Sequence, residues 1–131
     1  MFRIQSVLSP ELEALTHYVI GCCITVHREL GPGLLERVYG RAVPLELRHA
    51  GISFETDKRI PVMYRGKILC HQTLDVVVAG QLVLELKSVE HLAPVHRAQV
   101  ICYLKISQLP VGLLINFNVP ILQDGIKRIV L

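Results

Sequence analysis

The stretch Leu74-Asp75-Val76-Val77-Val78-Ala79-Gly80-Gln81-Leu82-Val83-Leu84-Glu85-Leu86-Lys87 decides how the chain is read. Two apolar runs flank a short Ala-Gly-Gln connection, the pattern of two strands joined by a tight turn. Charge enters at three places only. Residues i and i+2 share a face of a strand, so Glu85 and Lys87 project together while Leu82, Leu84 and Leu86 pack into the opposite layer. If the loop is the three residues Ala79 to Gln81, Val78 pairs with Leu82 and Asp75 falls opposite Glu85 on that same face. A two-residue loop places the two acids on opposite faces.

Working upstream, Arg59 to Tyr64 reads as a strand, Arg65-Gly66-Lys67 as its turn and Ile68 to Val78 as the next strand. With Leu82 to Val89 these make an antiparallel three-strand meander. Downstream, a crossover helix opens at Pro94 and ends before Leu109-Pro110. Val111 to Phe117 is nearly all apolar, as expected of a strand covered on both faces, and Lys127 to Leu131 suits an edge strand. On the amino-terminal side, Ser9-Pro10-Glu11 combines a serine N-cap, proline at N1 and an acid facing the dipole. That helix runs to about Leu30, where Gly31-Pro32-Gly33 stops it. A second helix spans about Leu34 to His49, with a kink or break predicted at Pro44. The order α, α, β, β, β, α, β, β describes one α/β domain over residues 1–131, a mixed central sheet flanked by helices.

Composition agrees with a buried core. Of 131 residues, 51% are hydrophobic and 19% charged, and the mean hydropathy of +0.44 excludes a disordered or solvating chain. No run of about 18 uncharged apolar residues is present for a membrane span. Met1 to Ser6 lacks the apolar region and small-residue cleavage site of a secretory leader, so a cytoplasmic protein with no membrane partner is expected. The net charge of +3 is compatible with a polyanionic partner without requiring one. Cys22, Cys23, Cys70 and Cys102 have no CxxC spacing and read as reduced and buried. The six histidines are too scattered to supply a structural zinc site.

Two carboxylates converging at a sheet edge repel each other, and a hard divalent cation with oxygen ligands relieves that repulsion. Lys87 beside them is placed to hold or deprotonate a water and to stabilise charge growing on a phosphate. The plainer alternative is a solvated Glu85–Lys87 ion pair with Asp75 at a strand entry.

Leu74-Asp75, nine intervening residues, then Glu85-Leu86-Lys87, set between helices, resembles the PD-(D/E)xK nuclease superfamily. Gly33-Leu34-Leu35-Glu36-Arg37-Val38-Tyr39 matches the GxxExxY signature of one small family within it. The resemblance extends over Val26 to Gly33, Val95 to Leu104 and Gly112 to Phe117. It implies a restriction-endonuclease-like core in which Asp75 and Glu85 bind magnesium or manganese (Mg2+ or Mn2+) and Lys87 orients or activates the attacking water. Glu36 would be a further acid of the site, and Gln99 would reach in from the third helix. His96, Gln99 and Tyr103 then form one polar stripe at helical spacing. Tyr39, one turn after Glu36, is expected to hydrogen-bond it or simply to pack. For Glu36 the plainer role is a dipole-favoured acid in a first helical turn, and for His27 and His96 a hydrogen-bonded packing histidine. The sequence departs from the family pattern in having Leu74 where the superfamily name has proline, in lacking an aromatic and an arginine at His71-Gln72-Thr73, and in Pro44.

The implied activity is metal-dependent hydrolysis of phosphodiester bonds in nucleic acid, DNA rather than RNA. The alternative is a catalytically inactive module of the same fold that binds nucleic acid or a protein. Arg37, Arg41 and Arg97 are candidate nucleic-acid contacts. Other basic residues (Arg28, Lys58, Arg59, Arg65, Lys67) are spread over several elements without interleaved aromatics, so no single-strand stacking platform is visible. With helices covering only part of so small a sheet, some of the apolar surface is expected to be buried in a homodimer.

Overall fold

A computed structural model describes residues 8–131; the expectation concerning Met1 to Ser6 lies outside them. Helices α1 (Pro10–Leu30) and α2 (Glu36–His49) precede a hairpin of β1 (Phe54–Tyr64) and β2 (Lys67–Val78). Then come β3 (Leu82–Lys87), α3 (Pro94–Ser107), β4 (Val111–Asn116), a 3-10 turn at Leu122–Gly125 and β5 (Ile126–Val130). The five strands form one sheet in sequence order, antiparallel except for β3 and β4, which are parallel and joined through α3. This is the restriction-endonuclease-like α/β arrangement expected, with the meander and crossover helix in place. Among the described residues no helix is long and apolar enough to cross a membrane.

The sheet separates two apolar layers. Leu82, Leu84, Leu86, Val111, Leu113 and Ile115 pack with α1 and α2. Val83 and Leu114 face α3 with Val100, Tyr103 and Leu104. The Ser9 side chain accepts the Leu12 N–H and caps α1 as its sequence indicates. Gly112 gives α3 its close seat on β4: a Cβ there would stand 2.8 Å from Val100 Cγ1.

Several boundaries differ from expectation. Helix α2 starts at Glu36 and runs through Pro44 uninterrupted. Proline costs only the bond to the Gly40 carbonyl, and Gly40 is exposed, where water can take that place. Strand β1 starts at Phe54 because β2 offers it partners as far as Val78. Strand β3 stops at Lys87, since the Asn116 side-chain amide takes both the N–H and the C=O of Val89 out of any ladder. Cys22 and Cys23 are buried, but Cys70 and Cys102 are exposed, on β2 and α3, where the chain has no core to bury them in. His27, as in its plainer reading, packs: its Nε2 donates to the Val119 carbonyl at 2.8 Å.

Candidate active site

The connection between β2 and β3 has the three residues Ala79 to Gln81, with Ala79 and Gly80 at positive φ and the Gln81 N–H donating to the Val78 carbonyl. It sets Val78 opposite Leu82, Val77 opposite Val83 and Val76 opposite Leu84. The ladder then stops. At the next level Glu85 Oε1 accepts the Asp75 N–H at 3.2 Å, and Asp75 Oδ2 accepts the Leu86 N–H at 2.9 Å. Two carboxylates thus replace backbone carbonyls as acceptors, which wedges the strands apart and holds both acids in the gap.

The same level inverts the alternation of the hairpin. Phe54 and Val76 pack in the α1–α2 layer, whereas Ile60 and Leu74, at the same parity, pack in the α3 layer. Between them lie Asp57, at φ 51°, and Asp75. The left-handed residue turns the ribbon over, and Asp75 emerges toward α2. There it lines a cleft of about 280 Å³ with Glu36, Arg37, Gly40, Arg41, Thr56, Asp57, Val76 and Leu86. Glu85, at the parity of Val83, stays on the α3 side and is only 3% exposed.

The electrostatics follow from that geometry. Burial, foremost, and then repulsion from Asp75 push the Glu85 carboxyl up to about 8, against the opposing pull of Lys87. Asp75 is also raised, first by burial and then by Glu36, with the Leu86 N–H and Lys87 countering. The Tyr103 hydroxyl, on α3, is raised by burial and by the fields of Glu85 and Asp75. A pair held in this state lacks positive charge.

Of the residues expected from sequence, Asp75 and Glu85 are brought together through each other's strands and both feel the charge of Lys87, and of these three only Asp75 lines the cleft. Glu36 stands exposed at the cleft rim with Arg37 and Arg41, while Tyr103 lies in the apolar layer on the α3 side and does not line the cleft. Four others make no hydrogen bond to the carboxylates. Tyr39 is fully buried and does not bond Glu36: its hydroxyl donates to the Gly31 carbonyl and accepts the Leu34 N–H, while its ring stacks on Phe117 at 4.4 Å. His96 caps α3, its Nδ1 accepting the Ala93 N–H. Arg97 is exposed on the first turn of α3 and does not line the cleft. Gln99 is half-buried one turn before Tyr103 and shares no hydrogen bond with the carboxylates. Sequence reasoning missed Asp57, which lies in the part of β1 ahead of the strand expected from Arg59. It also missed Ser88, whose hydroxyl donates to the Leu34 carbonyl and ties the end of β3 to the loop before Glu36.

The profile of the PD-(D/E)XK nuclease superfamily matches residues 13–129, which spans α1 through β5. The chain belongs to the PD-(D/E)XK nuclease superfamily. No curated protein matches the chain, and neither does any solved structure. Superfamily nucleases generally use divalent metal ions, and the donor set here is hard oxygen. Among the described residues no group of three or more His, Cys, Asp and Glu side chains is gathered to hold an ion alone. Asp75 and Glu85, desolvated and short of positive charge, nevertheless suit Mg2+, which usually binds through one or two carboxylates, waters and substrate phosphates.

Proposed function

We propose that this superfamily member is a Mg2+- or Mn2+-dependent phosphodiesterase that cuts DNA. The observation that carries the proposal is the reciprocal pairing of Asp75 and Glu85 with each other's strands, with Asp75 opening into the cleft that Glu36 also lines. Asp75 and Glu85 would hold the ion, which supplies Lewis-acid stabilisation of phosphoryl charge and a lowered pKa for water. Lys87 orients the attacking water and offsets charge at the phosphorus. Glu36, across the cleft, is placed to accept a proton from that water. Arg37 and Arg41 draw the phosphate backbone to the rim, and Tyr103 keeps bulk water from Glu85.

The signature Gly33 to Tyr39 supports assignment to the GxxExxY branch. Tyr39 pins both ends of the Gly31–Leu34 loop and so fixes where α2 begins and where Glu36 stands. Exposed Tyr18, Leu35 and Leu45 on the helical side support a homodimer. That no third ligand is gathered among the described residues favours the second reading, a nuclease-fold module that binds without turnover.

The test is cleavage of duplex, single-stranded and branched DNA and of RNA in Mg2+, Mn2+ or EDTA, with Glu85→Ala and Lys87→Ala beside the native protein. Metal-dependent cutting that either change reduces by orders of magnitude supports the reading. Cutting that survives both, or none on any substrate, overturns it, and salt-dependent binding without cutting establishes the module.

A further inference from the structure

The β1–β2 hairpin runs well past the rest of the sheet. Strand β2 pairs with β3 only from Val76 to Val78; beyond Leu74 and Ile60, which still pack in the α3 layer, the two strands have only each other. Every residue from Met63 to Thr73 is exposed. At about 3.3 Å per residue, Gly66 to Leu74 forms an arm about 30 Å long. A two-stranded ribbon is marginal by itself in water, which makes an arm this bare a contact surface.

Its charge is distinct from that of the body. Residues 58–74 hold four basic side chains and no acid, whereas the rest of the chain has ten basic residues against eleven acidic ones. The whole positive excess of the protein therefore sits on the arm. Lys58 is paired with Glu55 at 3.2 Å. Arg59, Arg65 and Lys67 have no ion pair among the described residues. Arg65 lies 5.9 Å from the Tyr64 ring. Beside these charges at the tip, Met63, Tyr64, Ile68 and Leu69 are each more than half exposed.

A second copy of so uniformly positive an arm would be repelled, whereas a polyanion is attracted. The major groove of a duplex admits a two-stranded ribbon. We infer that the β1–β2 arm grips duplex DNA beside the carboxylate site, with Arg59, Arg65 and Lys67 on phosphates and the apolar tip against sugars and base edges. The choice of DNA as the polyanion rests on the nuclease reading. The arm grows from the two strands that carry Asp57 and Asp75, so DNA lying along it passes the cleft. Its reach approaches one helical turn of about 34 Å, which sets the extent of the footprint on one side of the cut.

The test is anisotropy of a labelled 30-base-pair duplex in EDTA over a range of salt. The full chain is compared with Arg59→Gln/Arg65→Asn/Lys67→Gln, with Tyr64→Ser, and with Lys127→Gln on β5 as a control; asparagine is used at 65 because Arg65 has φ 49°. The triple variant should lower the salt slope by about 2 to 3, and Tyr64→Ser should weaken binding roughly tenfold with the slope unchanged. Lys127→Gln should alter neither. Equal slopes for native and triple variant, an equal loss in the control, or loss of binding to phosphatidylserine vesicles in place of DNA overturns the inference. Cleavage of the same duplex in Mn2+ is scored separately. An arm that binds as expected in a protein that never cuts leaves the inference standing and removes the nuclease reading; cutting with unchanged slopes does the reverse.

Discussion

The Asp75 carboxylate accepts the Leu86 N–H at 2.9 Å, at the level where the β2–β3 ladder has stopped. An asparagine can still accept that bond through Oδ1 but brings no negative charge. Asp75→Asn should therefore keep the fold, with a melting temperature equal to or above that of the native protein, because one of two desolvated, mutually repelling carboxylates is neutralised. Cleavage should fall by at least about a hundredfold. Melting curves and single-turnover rates together check this. A destabilised variant with full activity would mean that Asp75 is structural.

Stability of the metal-free protein should depend on pH in an unusual sense. Glu85 moves from 4.5 to about 8 on folding, so between these values the folded state holds a proton that the unfolded state has lost. The contribution is full below pH 4.5 and disappears as pH rises through 8. Asp75, also raised, acts in the same direction. Denaturant titrations in EDTA should show stability falling between pH 5 and pH 8, by on the order of a few kcal/mol at most. Glu85→Gln should flatten the profile, and a divalent cation should restore stability at the alkaline end.

The strands, the crossover helix and the Val78–Leu82 register follow from local pattern, because period and turn length are local properties. What did not follow depends on partners distant in sequence. The inversion of the ribbon needs a non-glycine residue at positive φ, and Asp57 carries no sign of that in its neighbours. Tyr39 is spaced to meet Glu36, but its hydroxyl finds the Gly31 carbonyl and the Leu34 amide instead, since the glycine loop folds back over α2. His96 has helical spacing with Gln99 and Tyr103, yet it lies in the first turn, where the free Ala93 N–H competes for it. The basic residues of 58–74 read as scattered until β1 and β2 pair and bring them onto one arm.

Tyr39→Phe should separate packing from positioning. The stack on Phe117 survives, while the Gly31 carbonyl and the Leu34 N–H lose their partner. Leaving such groups unsatisfied costs about 1–3 kcal/mol. Because Ser88 holds the Leu34 carbonyl, the loosened loop should also shift the end of β3 relative to Glu36. The expected result is a modest loss of stability with a larger proportional loss of kcat than of KM. Stability loss with unchanged kcat would restrict Tyr39 to the fold.

The seat of α3 can be tested through Gly112, where a Cβ would stand 2.8 Å from Val100 Cγ1. Gly112→Ala should cost about 1–3 kcal/mol by overpacking, since the side chain it meets, Val100, is fully buried. Val100→Ala alone opens a cavity and should also destabilise. Combined, the new methyl occupies the space that the valine vacates, so the double variant should be more stable than the sum of the single changes predicts. The coupling energy from a double-mutant cycle measures this directly, and strict additivity would mean that helix and strand do not meet at this point. The coupling also bears on the site. Tyr103 lies one turn beyond Val100, so a helix lifted off Gly112 carries Tyr103 away from Glu85. Gly112→Ala should thus admit water to that carboxyl and bring its pKa down from about 8 toward the ordinary value, which the pH dependence of stability in the variant would register.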